Sequence, residues 1–225
     1  MKFFQKILIS GFAVLLSSSA IAGVGLNQTR IIINADTNTS TVTVRNTGDE
    51  TYLVANYITE QLDKNPVSNN IFVITPQVFK LGGNSANKIK VQAIPGNFPA
   101  DRESMYYFHS RNVPATNEKT GVKIGFENII KVFYRPAGLT AGSKESYAGL
   151  EIKPAGNGIK LINNSPYYIN LQKLKVNQSL IKLSAENNII APYSDSLYIT
   201  PHKNGTVTWF VINELGGTNE YSKNI

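Results

Sequence analysis

The chain has 225 residues, no cysteine and a formal net charge of +7. That composition excludes a disulfide-stapled scaffold, thiol catalysis and cysteine-ligated zinc, so stability must come from ordinary apolar cores. The basic residues are scattered rather than clustered with aromatics, which argues against nucleic acid and suits a partner that carries carboxylates.

Residues 1–22 read as a targeting segment outside the fold. Lys2 and Lys6 form a short basic start, Ile7 to Leu16 a mostly apolar core, and Ala20-Ile21-Ala22 a small-x-small cleavage site, with the mature chain expected to begin at Gly23. The apolar run is shorter than the roughly 20 residues a spanning helix needs, so an exported protein without membrane insertion is expected.

From Gly23 onward short strands alternate with turns. Arg30–Ile33, Thr41–Arg45, Thr51–Tyr57, Ile71–Val73, Lys88–Gln92, Met105–His109 and Val122–Tyr134 are rich in β-branched and aromatic residues. Thr41–Arg45 and Lys88–Gln92 alternate strictly, so each should bury one face only. Turn chemistry separates them at Asn46-Thr47-Gly48-Asp49, Leu81-Gly82-Gly83-Asn84 and Pro95-Gly96-Asn97. No segment sustains a 3.6-residue apolar period. The pattern predicts an all-β antiparallel sandwich.

Arg135-Pro136-Ala137-Gly138 breaks the last of these strands, and the small residues after it read as a hinge. Strands resume at Leu150–Ile152, Ile159–Ile162, Tyr167–Leu174, Leu180–Leu183, Ser196–Ile199 and Thr206–Asn213, while the tail from Asn219 to Ile225 lacks an alternating apolar strand. Two all-β domains are expected, over 23–138 and 143–225.

Catalytic constellations are poorly supported. His109 and His202 fall in different domains without metal-ligand spacing, there is no Gly-x-Ser-x-Gly elbow, and no glycine loop suits a phosphate. The plain reading of the pair is a half-exposed strand residue and a turn residue. No catalytic residue, metal or cofactor is expected.

The anomaly lies in Ile129-Ile130-Lys131-Val132-Phe133-Tyr134-Arg135, an apolar strand with a lysine set into it. Burying an unpaired ammonium is costly, and no acid lies inside the run. Arg30 likewise stands directly before Ile31-Ile32-Ile33. Either cation alone could snorkel to water; the two together allow a shared anion site, a guanidinium fork beside an ammonium point charge. Upstream, Val122, Ile124 and Phe126 share one face of the same strand. At a sheet edge they would offer an apolar stripe with free backbone donors and acceptors, a hazard unless another strand covers it; an ordinary core-facing strand has the same periodicity. An extended peptide ending in a carboxylate would match stripe and cations at once. A secreted β-sandwich adhesin or glycan-binding module is the competing reading, and it gives the lysine no purpose.

These residues resemble the PapD-like periplasmic chaperones of the chaperone–usher pilus pathway. The resemblance rests on Ile130–Pro136, Thr29-Arg30, Asp101-Arg102-Glu103-Ser104 leading into Met105–Phe108, Pro76–Leu81, and Asn163–Tyr168, in the family's order. It implies two immunoglobulin-like β-sandwich domains with an interdomain cleft. It also implies that Arg30 and Lys131 bind a pilus subunit's terminal carboxylate and that Val122, Ile124 and Phe126 complete the subunit as a donated strand. Glu103, Arg135 and Glu214 would form an interdomain salt bridge, although Glu214 replaces a usual Asp. Fimbrial subunits and an outer-membrane usher are the implied partners, the periplasm the implied location, and self-association of an unloaded copy could cover the edge. Gln77, Lys80 and Asn164 depart from the common pattern, and the cysteine pair of some members is missing. The short segment from Asn112 to Gly121 resembles the short-loop class.

Overall fold

The computed structural model describes residues 23–62, 65–67, 70–115, 124–139, 144–185 and 187–225. The expected cleavage site, residues 116–121 of the segment on which the loop-class reading rests, Val122 and residues 140–142 of the hinge lie outside these.

The first sandwich packs two sheets. One has the order β1 (Val24–Leu26), β3 (Thr39–Asn46), β7 (Ala86–Ala93), β5 (Phe72–Thr75). The other has the order β2 (Arg30–Asn34), β9 (Phe126–Arg135), β8 (Ser104–Pro114), β4 (Tyr52–Thr59), β6 (Val78–Leu81). The strict alternation in β3 and β7 does what the pleat requires: Val42, Val44, Ile89 and Val91 are buried in the core with Ile31, Ile33 and Phe108, while Thr41 and Lys88 point outward. Each fully buried aliphatic or aromatic side chain contributes roughly 1.5–3 kcal/mol relative to exposure.

The second sandwich places β10 (Glu151–Ala155), β11 (Gly158–Asn163) and β15 (Ser194–Ile199) against β13 (Ser179–Ile181), β12 (Ile169–Val176), β16 (Thr206–Ile212) and β17 (Thr218–Asn224), with β14 (Ile189–Ile190) pairing β12. Trp209 is buried at its centre, and its indole Nε1 donates to the carbonyl of Tyr147 at 2.9 Å, tying a short helix α1 (Lys144–Ala148) to the core. The protein is therefore all-β in two immunoglobulin-like sandwiches.

One expectation about the strands is corrected. The long strand expected from Val122 starts, among the described residues, at Phe126; Ile124 and Gly125 belong to no ladder. The tail lacks apolar alternation, as expected, yet it forms β17, which the seven-residue register with β16 holds in place. Main-chain pairing, not side-chain pattern, makes that strand.

The pairing of β9 is the feature that matters for function. On one side it pairs antiparallel with β8 over all but its last residue, Phe126 opposite Asn112 through Tyr134 opposite Ser104. On the other side β2 pairs with it in parallel only from Lys131 to Arg135. From Phe126 to Ile130 that side of β9 has no neighbouring strand among the described residues. β9 thus has an open side from Phe126 to Ile130 and is closed on that side by the protein's own β2 from Lys131 to Arg135.

Candidate functional site: two cations between the domains

Parallel pairing places Arg30 and Lys131 in register, about 4.8 Å apart across the ladder. The apolar residues on either side force the arrangement: Ile31 and Ile33 of β2, and Val132 and Tyr134 of β9, all enter the first core, which turns Lys131 and its neighbour Phe133 toward the second domain. Phe133 meets Tyr168 there at 5.9 Å between ring centroids.

Each cation is held by a neutral oxygen of the second domain. Arg30 Nη1 donates to the carbonyl of Ile212 at 3.2 Å, and Lys131 Nζ donates to Asn170 Oδ1 at 2.7 Å. Arg30 Nε is buried with no hydrogen-bond acceptor. None of the ion pairs among the described residues includes either cation. The cost shows in their protonation: burial, with Arg30 adding to it, pushes Lys131 down to about 8, and burial lowers Arg30 against the opposing pull of Tyr147, Glu214 and Glu103. Two half-buried positive groups outside any ion pair among the described residues form a site that an incoming carboxylate would relieve.

The other cation of β9 is treated in the opposite way. Arg135 Nε and Nη2 donate to Glu103 Oε1 at 3.1 and 2.8 Å, and Nη2 also donates to Glu214 Oε1 at 2.6 Å. Glu103 Oε2 accepts from the Tyr168 amide at 2.9 Å, and the Arg135 guanidinium lies 5.3 Å from the Tyr167 ring centroid. Burial pushes the Glu103 carboxyl up, while the Arg135 charge and the Tyr168 amide pull it back. Because Glu103 and Arg135 belong to the first domain and Glu214 and Tyr168 to the second, this network fixes one sandwich against the other. The glutamate at position 214 reaches the guanidinium.

The stripe residues separate. Ile124 is 77% exposed. Phe126 is half-buried at the rim of the first core, edge-on to Tyr52 at 5.7 Å. Phe126, Ile130, Val132 and Tyr134 all pack on that core, so the apolar face of β9 is the opposite of the one carrying Lys131.

His109 departs from the half-exposed strand residue expected. It is buried, stacked on Tyr57 at 4.6 Å, with Nε2 2.9 Å from Thr59 Oγ1. The residue that sequence reasoning missed is Asn170. A buried amide in the apolar run Ile169–Leu171 is the same kind of anomaly as Lys131, but an uncharged one, and so a fainter signal.

Comparison with known proteins agrees with this architecture. The model of the pili and flagellar-assembly chaperone, PapD N-terminal domain, matches residues 23–140, and that of the pili assembly chaperone PapD, C-terminal domain, matches residues 145–223. The probable fimbrial chaperone protein ElfD of Escherichia coli O157:H7 is 31% identical over 92% of this chain and 91% of its own. Chaperone protein FimC of Escherichia coli K12 is 27% identical over 91% of this chain and 85% of its own. Among solved structures, the Escherichia coli chaperone DraB superposes with a TM-score of 0.80 at 31% identity, covering 90% of this chain and 98% of that one. A chain from the Salmonella enterica SafA pilin complex with the SafB chaperone superposes with a TM-score of 0.80 at 24% identity, covering 92% and 99%, and shares the fold. Two immunoglobulin-like domains joined in this way define a class of assembly chaperone. The chain belongs to the PapD-like family of fimbrial chaperones of the chaperone–usher pathway, which sets aside the adhesin reading.

Proposed function

We propose that this protein holds fimbrial subunits in the periplasm by anchoring a subunit's terminal carboxylate on Arg30 and Lys131 and pairing the subunit's backbone with the open half of β9, before handing it to an outer-membrane usher. The role is one of binding, without chemistry on the subunit. The observation that carries it is the juxtaposition of two cations outside any ion pair among the described residues with a strand edge that opens at Ile130, immediately before the lysine. Strand addition is an established mode of peptide recognition, with chaperone–pilin complexes among its known examples.

The magnitudes are adequate. Each charge-assisted hydrogen bond to the carboxylate contributes about 1.5–3 kcal/mol. The anchor fixes register, which matters because a slip of one residue turns every side chain to the wrong face. Ile124, Phe126 and Val122 would then supply apolar contact, each roughly 1.5–3 kcal/mol before ordering costs. The test is co-purification of a tagged subunit with Lys131→Ala: the variant folds and is exported but retains no subunit. Retention at the wild-type level would remove the anchor from the account.

A further inference from the structure

Three cations lie along the junction of the two domains, and they are partnered in two different ways. Arg135, whose role is to hold the domains together, is neutralised by two carboxylates. Arg30 and Lys131 receive a carbonyl and an amide oxygen, both from the second domain. The amide belongs to Asn170 on β12, which is 3% exposed between Ile169 and Leu171, themselves in the core. A buried side-chain amide in such surroundings needs a hydrogen bond. Its oxygen finds that bond across the domain boundary, on Lys131, rather than within its own sheet.

We infer that Asn170 is a positioning residue for the carboxylate anchor, its neutral oxygen holding the Lys131 ammonium beside Arg30 without discharging it. An ammonium has three donors, so one bond to Asn170 leaves two for an incoming anion. An aspartate at the same place would grip the lysine more firmly and cancel the charge the ligand needs. An apolar residue would leave the long stem free to carry the charge away to water. The second domain therefore takes part in capture through β12, and the Glu103–Arg135–Glu214 network, by fixing that domain, sets where Lys131 Nζ sits.

The inference rests on the reading of Arg30 and Lys131 as a carboxylate anchor, and the experiment separates the two. Wild type, Asn170→Asp, Asn170→Ala and Asn170→Thr are compared for affinity toward a synthetic extended peptide with a free α-carboxylate and toward its C-terminally amidated twin. The Lys131 ammonium is followed by NMR titration in the unliganded proteins. Asn170→Asp is nearly isosteric and keeps the fold testable if Asn170→Ala is poorly soluble. Wild type should prefer the carboxylate peptide. Asn170→Asp should raise the Lys131 titration above that of wild type and cut the preference about tenfold or more, a change worth one charge-assisted hydrogen bond. Asn170→Ala should lose much of the preference, and Asn170→Thr, whose hydroxyl can accept, should restore part of it. Full preference in both the Asp and the Ala variants would reduce Asn170 to a packing residue while leaving the anchor intact. No preference in wild type would remove the anchor itself, and this inference with it.

Discussion

Arg30 and Lys131 stand opposite each other in the parallel ladder of β2 and β9, one held by the carbonyl of Ile212 and the other by the amide oxygen of Asn170. Neither has a carboxylate in an ion pair among the described residues. Positive charge is stored there at some cost to the free protein, and the predictions below concern what it is stored for.

Removal of either charge should weaken capture with little effect on folding. Arg30→Ala and Lys131→Ala should each cost about 1.5–3 kcal/mol of affinity for a peptide with a free α-carboxylate, and little for its amide. Calorimetric titration of both peptides reads the difference.

Capture should weaken with rising pH. In the fold Lys131 loses its proton near 8, below the roughly 10.4 of an exposed lysine. The ligand needs the ammonium, so affinity falls as pH rises through about 8, and above that value binding takes up a proton. Stability moves the other way. Between about 8 and about 10.4 the unfolded chain holds the extra proton, so this group's contribution to stability increases with pH across that window. Calorimetry in two buffers of different ionisation enthalpy detects the uptake, and denaturation of wild type against Lys131→Met isolates the stability change.

Some of this was legible in the sequence and some was not. The strict alternation of Thr41–Arg45 and Lys88–Gln92 marks which residues enter the core, because in a half-buried strand the pleat alone decides. Lys131 is legible as an anomaly because a charge in an apolar run has few uses. What brings Arg30 beside it is a parallel pairing between distant segments, which no local pattern encodes. The cover that β2 places on half of β9 is hidden for the same reason. β17 escapes detection because its side chains are polar throughout and its ladder with β16 carries it. His109 reads as a half-exposed residue because nothing local announces the Tyr57 ring that stacks on it.

The domain-locking network should be costly to break from one side. Arg135→Ala leaves the Glu103 carboxylate, 5% exposed, without its counter-ion, a change expected to cost about 3–5 kcal/mol. Glu214 is more exposed, and Glu214→Ala should cost no more than about 1 kcal/mol. Urea denaturation of the two variants gives the comparison.

The two described stripe residues should behave differently. Ile124→Asp touches a side chain in solvent, so stability should stay within about 0.5 kcal/mol while subunit capture weakens. Phe126→Ala removes part of the first core's rim and its contact with Tyr52, so it should lower stability as well as capture. Thermal denaturation alongside subunit retention distinguishes them.

Hydrogen exchange along β9 tests the central claim most directly. When a fimbrial subunit is added, amides in Phe126–Ile130 that point away from β8 should become protected, while Lys131–Arg135, already paired with β2, should change little. Subunit retained with those amides still exchanging as in the free protein would contradict the account.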